Sequence, residues 1–202
     1  MRTSLYFILT SLMLFLSWAC STENNTPLNR FYHQTTAKYN GHFNAKELLR
    51  VSLKTYQDGR KEDFYVILPV YPVPNEKEVK GMLPAIDTAV VKCAKVILNH
   101  SMPTAENMFY KTVEYNKWID ENWLTVGEAY FYRRDYQKAL DNFQFVKRFF
   151  DKDPSAYVAS LWIARIQIEQ RKYADAKLIL DALNERAEIQ NDKAFTDRKS
   201  VV

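Results

Sequence analysis

The sequence predicts an all-α protein, a helical solenoid of helix-turn-helix repeats that follows a signal peptide and a short tether. Abundant Ala, Lys, Glu, Leu and Gln favour helices. Only 4 glycines and 7 prolines in 202 residues are too few for the many turns of a β-sandwich or barrel. The C-terminal half also contains two similar helix-turn-helix patterns, which is typical of a stacked repeat.

The N-terminus has the pattern of a secretory signal. Arg2 precedes an apolar core of roughly 11 residues, which is short for a membrane span. Ala19-Cys20 and a polar stretch follow, and a small residue before a lone cysteine resembles a bacterial lipobox. That resemblance implies a lipoprotein signal peptide over residues 1–19, then an acylated Cys20 and tether over residues 20–30. The alternative is an ordinary signal peptide in which Cys20 has no role.

Residues 31–103 form the predicted N-terminal helical region. Asn40-Gly41 is a turn signal, and Asn44 and Glu47 have the spacing of a capping box, so we expect a helix to begin at Asn44. A proline-rich stretch over residues 64–74 predicts an extended crossing segment, because proline fixes φ and lacks an N–H.

Two aromatic residues flank that turn signal. We expect Tyr39 and Phe43 to pack against the first helices of the solenoid, as aromatic side chains in such positions usually do. The alternative is that they dock onto a partner. Farther along, residues 87–100 predict a helix that ends before Pro103, because the residue before proline avoids helical geometry. Cys93 lies on the apolar face of that helix and is predicted to be a small buried hydrophobe.

The repeats occupy residues 104–196, and residues 107–121 are a candidate for an additional helix. The clearest pattern, WLTVGEAYFYRRDYQKALDNFQFV, begins at Trp123 and predicts two helices joined by a turn at Arg133-Arg134-Asp135. Small residues allow the two helices to approach closely, and aromatic rings fill the flanking grooves. The predicted core positions are Trp123, Gly127, Tyr130, Tyr136, Ala139 and Phe143.

This spacing resembles the tetratricopeptide repeat. A second copy places Tyr173 and Ala176 where the first has Tyr136 and Ala139, an offset of 37 residues (173 − 136). In such stacks the first helices line a concave groove where peptides lie. The predicted groove residues, on the face turned away from the core, are Asn122, Thr125 and Tyr132. The alternative is that they are ordinary solvated positions.

The sequence predicts neither an enzyme nor a cofactor site. The three histidines, His33, His42 and His100, are far apart and have no Cys or carboxylate at ligand spacing, so no metal site is predicted. Phosphate-binding loops and nucleophile elbows are absent from the sequence. The net charge of +4, without a Lys/Arg cluster, does not predict nucleic-acid binding.

Taken whole, the sequence resembles the tetratricopeptide-repeat outer-membrane lipoproteins of the Bacteroidota type IX secretion and gliding-motility system (the SprE/PorW family). Beyond the repeats, the resemblance rests on Tyr39, Asn40, Phe43, Asn44 and Glu47. It implies a periplasm-facing lipoprotein, held in the outer membrane by the lipid on Cys20, that acts as a protein–protein interaction scaffold. The implied partners are components of the periplasmic ring and motor.

Members of that family are much longer. We therefore expect this chain to be an N-terminal fragment in which residues 197–202 are a non-native tail. Two other functions stay open. One is a glycan-capturing outer-membrane lipoprotein for nutrient import, in which Trp118 and Trp162 could form an aromatic platform. The other is an enzyme whose catalytic domain lies downstream.

Overall fold

A computed structural model describes residues 26–62, 64–65, 68–69, 71–103 and 114–190, without the side chains of residues 186–190. These residues are all-helical and contain no strand. The elements are α1 (Pro27–Thr36), a π-helical segment (Ala37–Phe43), α2 (Asn44–Gly59), a 3-10 turn (Glu78–Gly81), α3 (Leu83–His100), α4 (Ile119–Arg133), α5 (Tyr136–Phe149), α6 (Pro154–Glu169) and α7 (Tyr173–Gln190).

Helices α2 to α7 pack in sequence order, each against the next. Helix α4 also contacts α6, so the first helices of successive pairs lie side by side. This arrangement confirms the all-α prediction and is consistent with a helical repeat solenoid. The predicted signal peptide, Cys20 and the tail over residues 197–202 lie outside the described residues.

The N-terminal region is one continuous helix over α1, the π-helical segment and α2. Thr26 caps its start by accepting a hydrogen bond from the Asn29 amide (3.3 Å). Residues 27–30, expected in the tether, are its first turn. Helix α2 does begin at Asn44, as predicted, but it continues directly from the π-helical segment. The predicted turn at Asn40-Gly41 and the capping role of Asn44 are wrong, because Asn44 itself has helical angles (φ −66°, ψ −36°).

One face of this long helix is buried at every fourth residue: His33, Ala37, Gly41, Ala45 and Leu49. Position 41 requires a glycine because side chains of neighbouring helices lie too close for a Cβ. A Cβ there would lie 2.8 Å from Val96 Cγ2 of α3. Tyr39 and Phe43 each lie two places from a member of this series, and both face outward and are exposed. The prediction that these two rings pack in the interior is therefore wrong.

Helix α3 begins at Leu83, four residues before the predicted start, and ends at His100 as expected. Ser101 leaves the helical region with φ −66° and ψ 136°. The free thiol of Cys93 is fully buried, as predicted, and burial raises its pKa to about 12. Residues 114–118 are not helical, so of the additional helix expected over residues 107–121 only residues 119–121 are helical among those described.

The pair α4–α5 has the predicted helix-turn-helix form. A Cβ on Gly127 would lie 2.5 Å from Cε1 of Phe143, and Ala139 and Phe143 are fully buried. The close approach predicted for these positions is thus confirmed. The turn after α4 places Arg134 in the left-handed region (φ 69°), and Arg171, 37 residues later, has φ 61°.

The second helix pair repeats this geometry with one exception. Ala176 is buried, as its predicted core position requires. Tyr173, also expected in the core, is 63% exposed at the start of α7. The first copy differs because its equivalent ring, Tyr136, packs beside Phe131 with centroids 5.7 Å apart.

Candidate functional site

The candidate site is a cleft of about 530 Å³ between α2, the crossing segment, α4 and α6. We call it the central cleft. Its walls come from four separate parts of the chain, and both charged and aromatic side chains face it. The lining residues are Lys46, Leu53, Gln57, Tyr71, Pro72, Glu121, Glu128, Tyr132, Val158, Leu161, Trp162 and Arg165.

Arg165 of α6 lies among aromatic rings in this cleft. Its Cζ is 4.9 Å from the ring centroid of Phe131, 5.0 Å from that of Trp162 and 5.6 Å from that of Tyr71. Such contacts stabilise a cation through the negative face of the ring. In the part of the chain that the structure describes, no carboxylate forms an ion pair with this guanidinium. Arg165 can therefore still accept an anionic group.

Lys46 and Glu128, which also line the cleft, form an ion pair. Lys46 of α2 donates to both carboxylate oxygens of Glu128 on α4, and Glu128 is buried. A buried carboxylate without a counter-charge would be costly, so this bond fixes α2 against α4. Next to it, His42 Nδ1 lies 3.1 Å from Thr125 Oγ1, and burial followed by the charge of Lys46 lowers the pKa of His42.

The predicted groove residues do not form an open groove. Asn122 and Thr125 are completely buried because the N-terminal helix covers them. Asn122 Nδ2 donates to the Ala37 carbonyl (3.2 Å) across this contact. For these two positions the prediction of a groove surface is wrong. Tyr132 does line the central cleft, and burial raises the pKa of its hydroxyl.

The other predicted positions lie away from the cleft. Trp123 is half-buried, with its ring centroid 4.5 Å from that of Phe145, and Tyr130 is half-buried against the main core. In the proposed family motif Asn40 is exposed. Glu47 pairs with Arg50 one turn later instead of capping a helix.

Two of the histidines, 67 residues apart in the sequence, meet in space. His33 Nδ1 and His100 Nδ1 are 2.9 Å apart, so one ring donates and the other accepts. Asn116 Nδ2 donates to the backbone carbonyls of both residues, at 3.1 Å and 2.8 Å. Among the described residues, no group of three or more His, Cys, Asp or Glu side chains is placed to hold a metal ion.

The comparisons with known proteins do not identify the chain. No model of a known protein family matches it, and no curated protein does either. Within the described residues, no helix is both long and apolar enough to cross a membrane.

The sequence interpretation missed Arg165, Lys46 and Glu128. A signal for two of them exists, because each is a lone charge in an apolar helical run: Glu128 in LTVGEAYF and Arg165 in LWIARIQI. A charge at such a position is rarely buried without a partner or a role. The spacing of residues along the sequence does not show which helices face each other across the cleft.

Proposed function

We propose that this protein is a helical-repeat scaffold that binds an extended segment of a partner protein in the central cleft. The observation that carries the proposal is Arg165, a cation placed among aromatic rings and without an ion-pair partner in the described chain. A carboxylate on the partner would pair with Arg165, and apolar side chains beside it would contact Tyr71 and Trp162.

We further propose that the helix pairs are tetratricopeptide repeats in an outer-membrane lipoprotein of type IX secretion and gliding motility. Three observations support the repeat assignment alone: the match of repeat positions, the Gly127–Phe143 contact, and left-handed turns 37 residues apart. The family resemblance adds the acylated Cys20 and a periplasm-facing location. In this role the partners are proteins of the periplasmic ring and motor, and the protein is not an enzyme.

Cross-linking in cells tests the cleft directly. A photo-crosslinking phenylalanine analogue is placed at Tyr71, which lines the cleft, and at Tyr65, which is exposed in the same crossing segment but outside the cleft lining. We expect the position 71 probe to cross-link a ring or motor protein identified by mass spectrometry. Arg165→Ala should abolish that cross-link, because the partner's carboxylate loses its counter-charge.

The matched control is Arg148→Ala on α5, whose guanidinium lies 4.8 Å from the Phe149 ring centroid and is not among the cleft-lining residues. It should leave the cross-link intact. Equal cross-linking from positions 65 and 71, or an unchanged cross-link in Arg165→Ala, contradicts binding in the cleft.

A deletion strain tests the cellular role. Loss of the gene should stop export of type IX cargo and gliding. The wild-type gene and Arg148→Ala should restore both, whereas Arg165→Ala should not. Retained export together with lost growth on one polysaccharide would instead support glycan capture.

Glycan capture is the weaker candidate because the two tryptophans proposed for a platform contact other side chains. The Trp162 ring stacks on Phe143 with an interplanar angle of 4° and centroids 5.7 Å apart. Trp118 lies beside His42 and beneath the ammonium group of Lys38, 5.1 Å from its ring centroid. An aromatic platform for a sugar needs an exposed ring face, and these contacts cover part of the Trp118 and Trp162 rings.

A further inference from the structure

The N-terminal helix exposes a row of large apolar side chains, which we call the outer stripe. Its members are between 50% and 76% exposed, which is unusual for so many large side chains on one helix. Each turn places them away from the buried series that begins at His33. The outer stripe consists of Leu28, Phe31, Tyr32, Tyr39 and Phe43.

The charged residues within the span of the outer stripe are cations. Residues 27–43 contain Arg30 and Lys38 and no Asp or Glu, and the first carboxylate after them, Glu47, is paired with Arg50. Lys38 Nζ lies 5.0 Å from the Tyr39 ring centroid, so a cation stands directly beside the stripe. A helix with aromatic and Leu side chains on one face and basic residues around it has the composition of one that lies in a membrane interface.

The short distance along the chain between the predicted lipid anchor and α1 also supports contact with the membrane. Six residues, 21–26, separate Cys20 from Pro27 at the start of α1. Fully extended, these six residues span at most about 22 Å, so an acylated Cys20 would keep α1 close to the lipid headgroups.

We propose that the outer stripe lies on the surface of the lipid bilayer that holds the anchor. This rests on the proposed acylation of Cys20. Leu28, Phe31 and Phe43 enter the boundary between headgroups and acyl chains, and the hydroxyls of Tyr32 and Tyr39 stay among the headgroups. The opposite, buried face of the helix carries α3 and α4, so the solenoid is held against the membrane along this helix.

Depth-dependent quenching tests the outer stripe in the full chain, produced in a bacterium that processes lipoproteins. An environment-sensitive fluorophore is attached at Tyr39→Cys and, as control, at Asp181→Cys on the exposed surface of α7. Cys93 remains unlabelled because its thiol is buried. In vesicles of phosphatidylethanolamine and phosphatidylglycerol with a shallow lipid quencher, we expect quenching about fivefold stronger at position 39.

A variant of the stripe itself completes the test. Phe31→Ser with Phe43→Ser should lower quenching at position 39 to the control value, while circular dichroism stays unchanged because both rings are exposed. Equal quenching at positions 39 and 181 overturns the proposal, as does unchanged quenching in the double variant. A spectral shift at position 39 that grows with protein concentration without vesicles overturns it in favour of a second copy.

Mass spectrometry of the fragment containing Cys20 separates this proposal from the anchor on which it rests. An acylated Cys20 without quenching at position 39 leaves the anchor standing and overturns the outer stripe as a membrane surface. An unacylated Cys20 refutes the proposed anchor. The free Cys20 thiol would then also take the fluorophore, so position 39 is read in a Cys20→Ser form of the protein: quenching there supports membrane contact by the stripe alone, and its absence overturns the proposal.

Discussion

Two glycines in this protein are required by a neighbouring side chain and not by their backbone angles. Gly127 faces the Phe143 ring and Gly41 faces Val96, and no described glycine has a positive φ. The sequence interpretation recognised this for Gly127, because a small residue at that place in a repeat pattern indicates close helix packing. It took Gly41 for a turn residue, since Asn-Gly is a local signal and the contact with α3 is not local.

Replacing Gly127 by Ala should destabilise the fold. The added methyl group would lie 2.5 Å from the Phe143 ring in a filled core, and overpacking of this kind costs about 1–3 kcal/mol. Chemical denaturation measures the free energy of unfolding. Gly59→Ala is the matched control, because a Cβ there meets nothing within 4 Å. Equal loss of stability in both variants would mean that the ring contact is not the cause.

Asp120, near the start of α4, should make stability depend on pH. Burial, followed by the charge of Glu121, raises its pKa to about 6. The folded state then binds the proton more tightly than the unfolded state, so stability falls as pH rises from about 4 to above 6. Asp120→Asn should remove this decline and raise the free energy of unfolding by about 1–2 kcal/mol at pH 7.5. Chemical denaturation of the wild-type protein and of Asp120→Asn at each pH measures this effect. Parallel curves of unfolding free energy against pH would contradict the prediction.

At the scale of elements, the helix pairs were predictable and the N-terminal helix was not. Helices α4 and α6 carry apolar and small residues at a helical period, so their positions followed from the sequence. The N-terminal helix depends instead on contacts between residues far apart in the chain, such as Ala37 with Asn122. The central cleft was missed for the same reason, because Lys46, Tyr71 and Arg165 are distant in sequence.

The two left-handed turns offer a matched comparison. Arg171 has φ 61°, which disfavours any residue with a Cβ, so Arg171→Gly should raise stability by about 1 kcal/mol. Arg134 has a similar φ, but its Nη1 donates to the Pro74 carbonyl (3.1 Å). Arg134→Gly should therefore gain less stability, since this variant loses the hydrogen bond to the Pro74 carbonyl. Thermal unfolding compares the two variants; an equal gain would show that the Pro74 contact contributes nothing to stability.

For the whole molecule, stability should decrease along the solenoid. Helix α4 contacts α3, α5, α6 and the N-terminal helix, whereas α7 packs chiefly on α6 among the described elements. In a stack, an element with fewer neighbours opens more easily. Hydrogen exchange followed by mass spectrometry should therefore show the slowest exchange in α4 and faster exchange in α7. Uniform protection across both helices would contradict this gradient.

The π-helical segment also affects how the buried face of the N-terminal helix is oriented along its contact with α3 and α4. In a regular α-helix each residue advances 100°, so a row at every fourth position rotates by about 40° per step. Over the four steps from His33 to Leu49 the row would wind by about 160°, to nearly the other side. The wider π turns advance each residue by less and so unwind part of that rotation. The row therefore winds less around the helix axis than it would in a regular α-helix, and all of its members from His33 to Leu49 are buried.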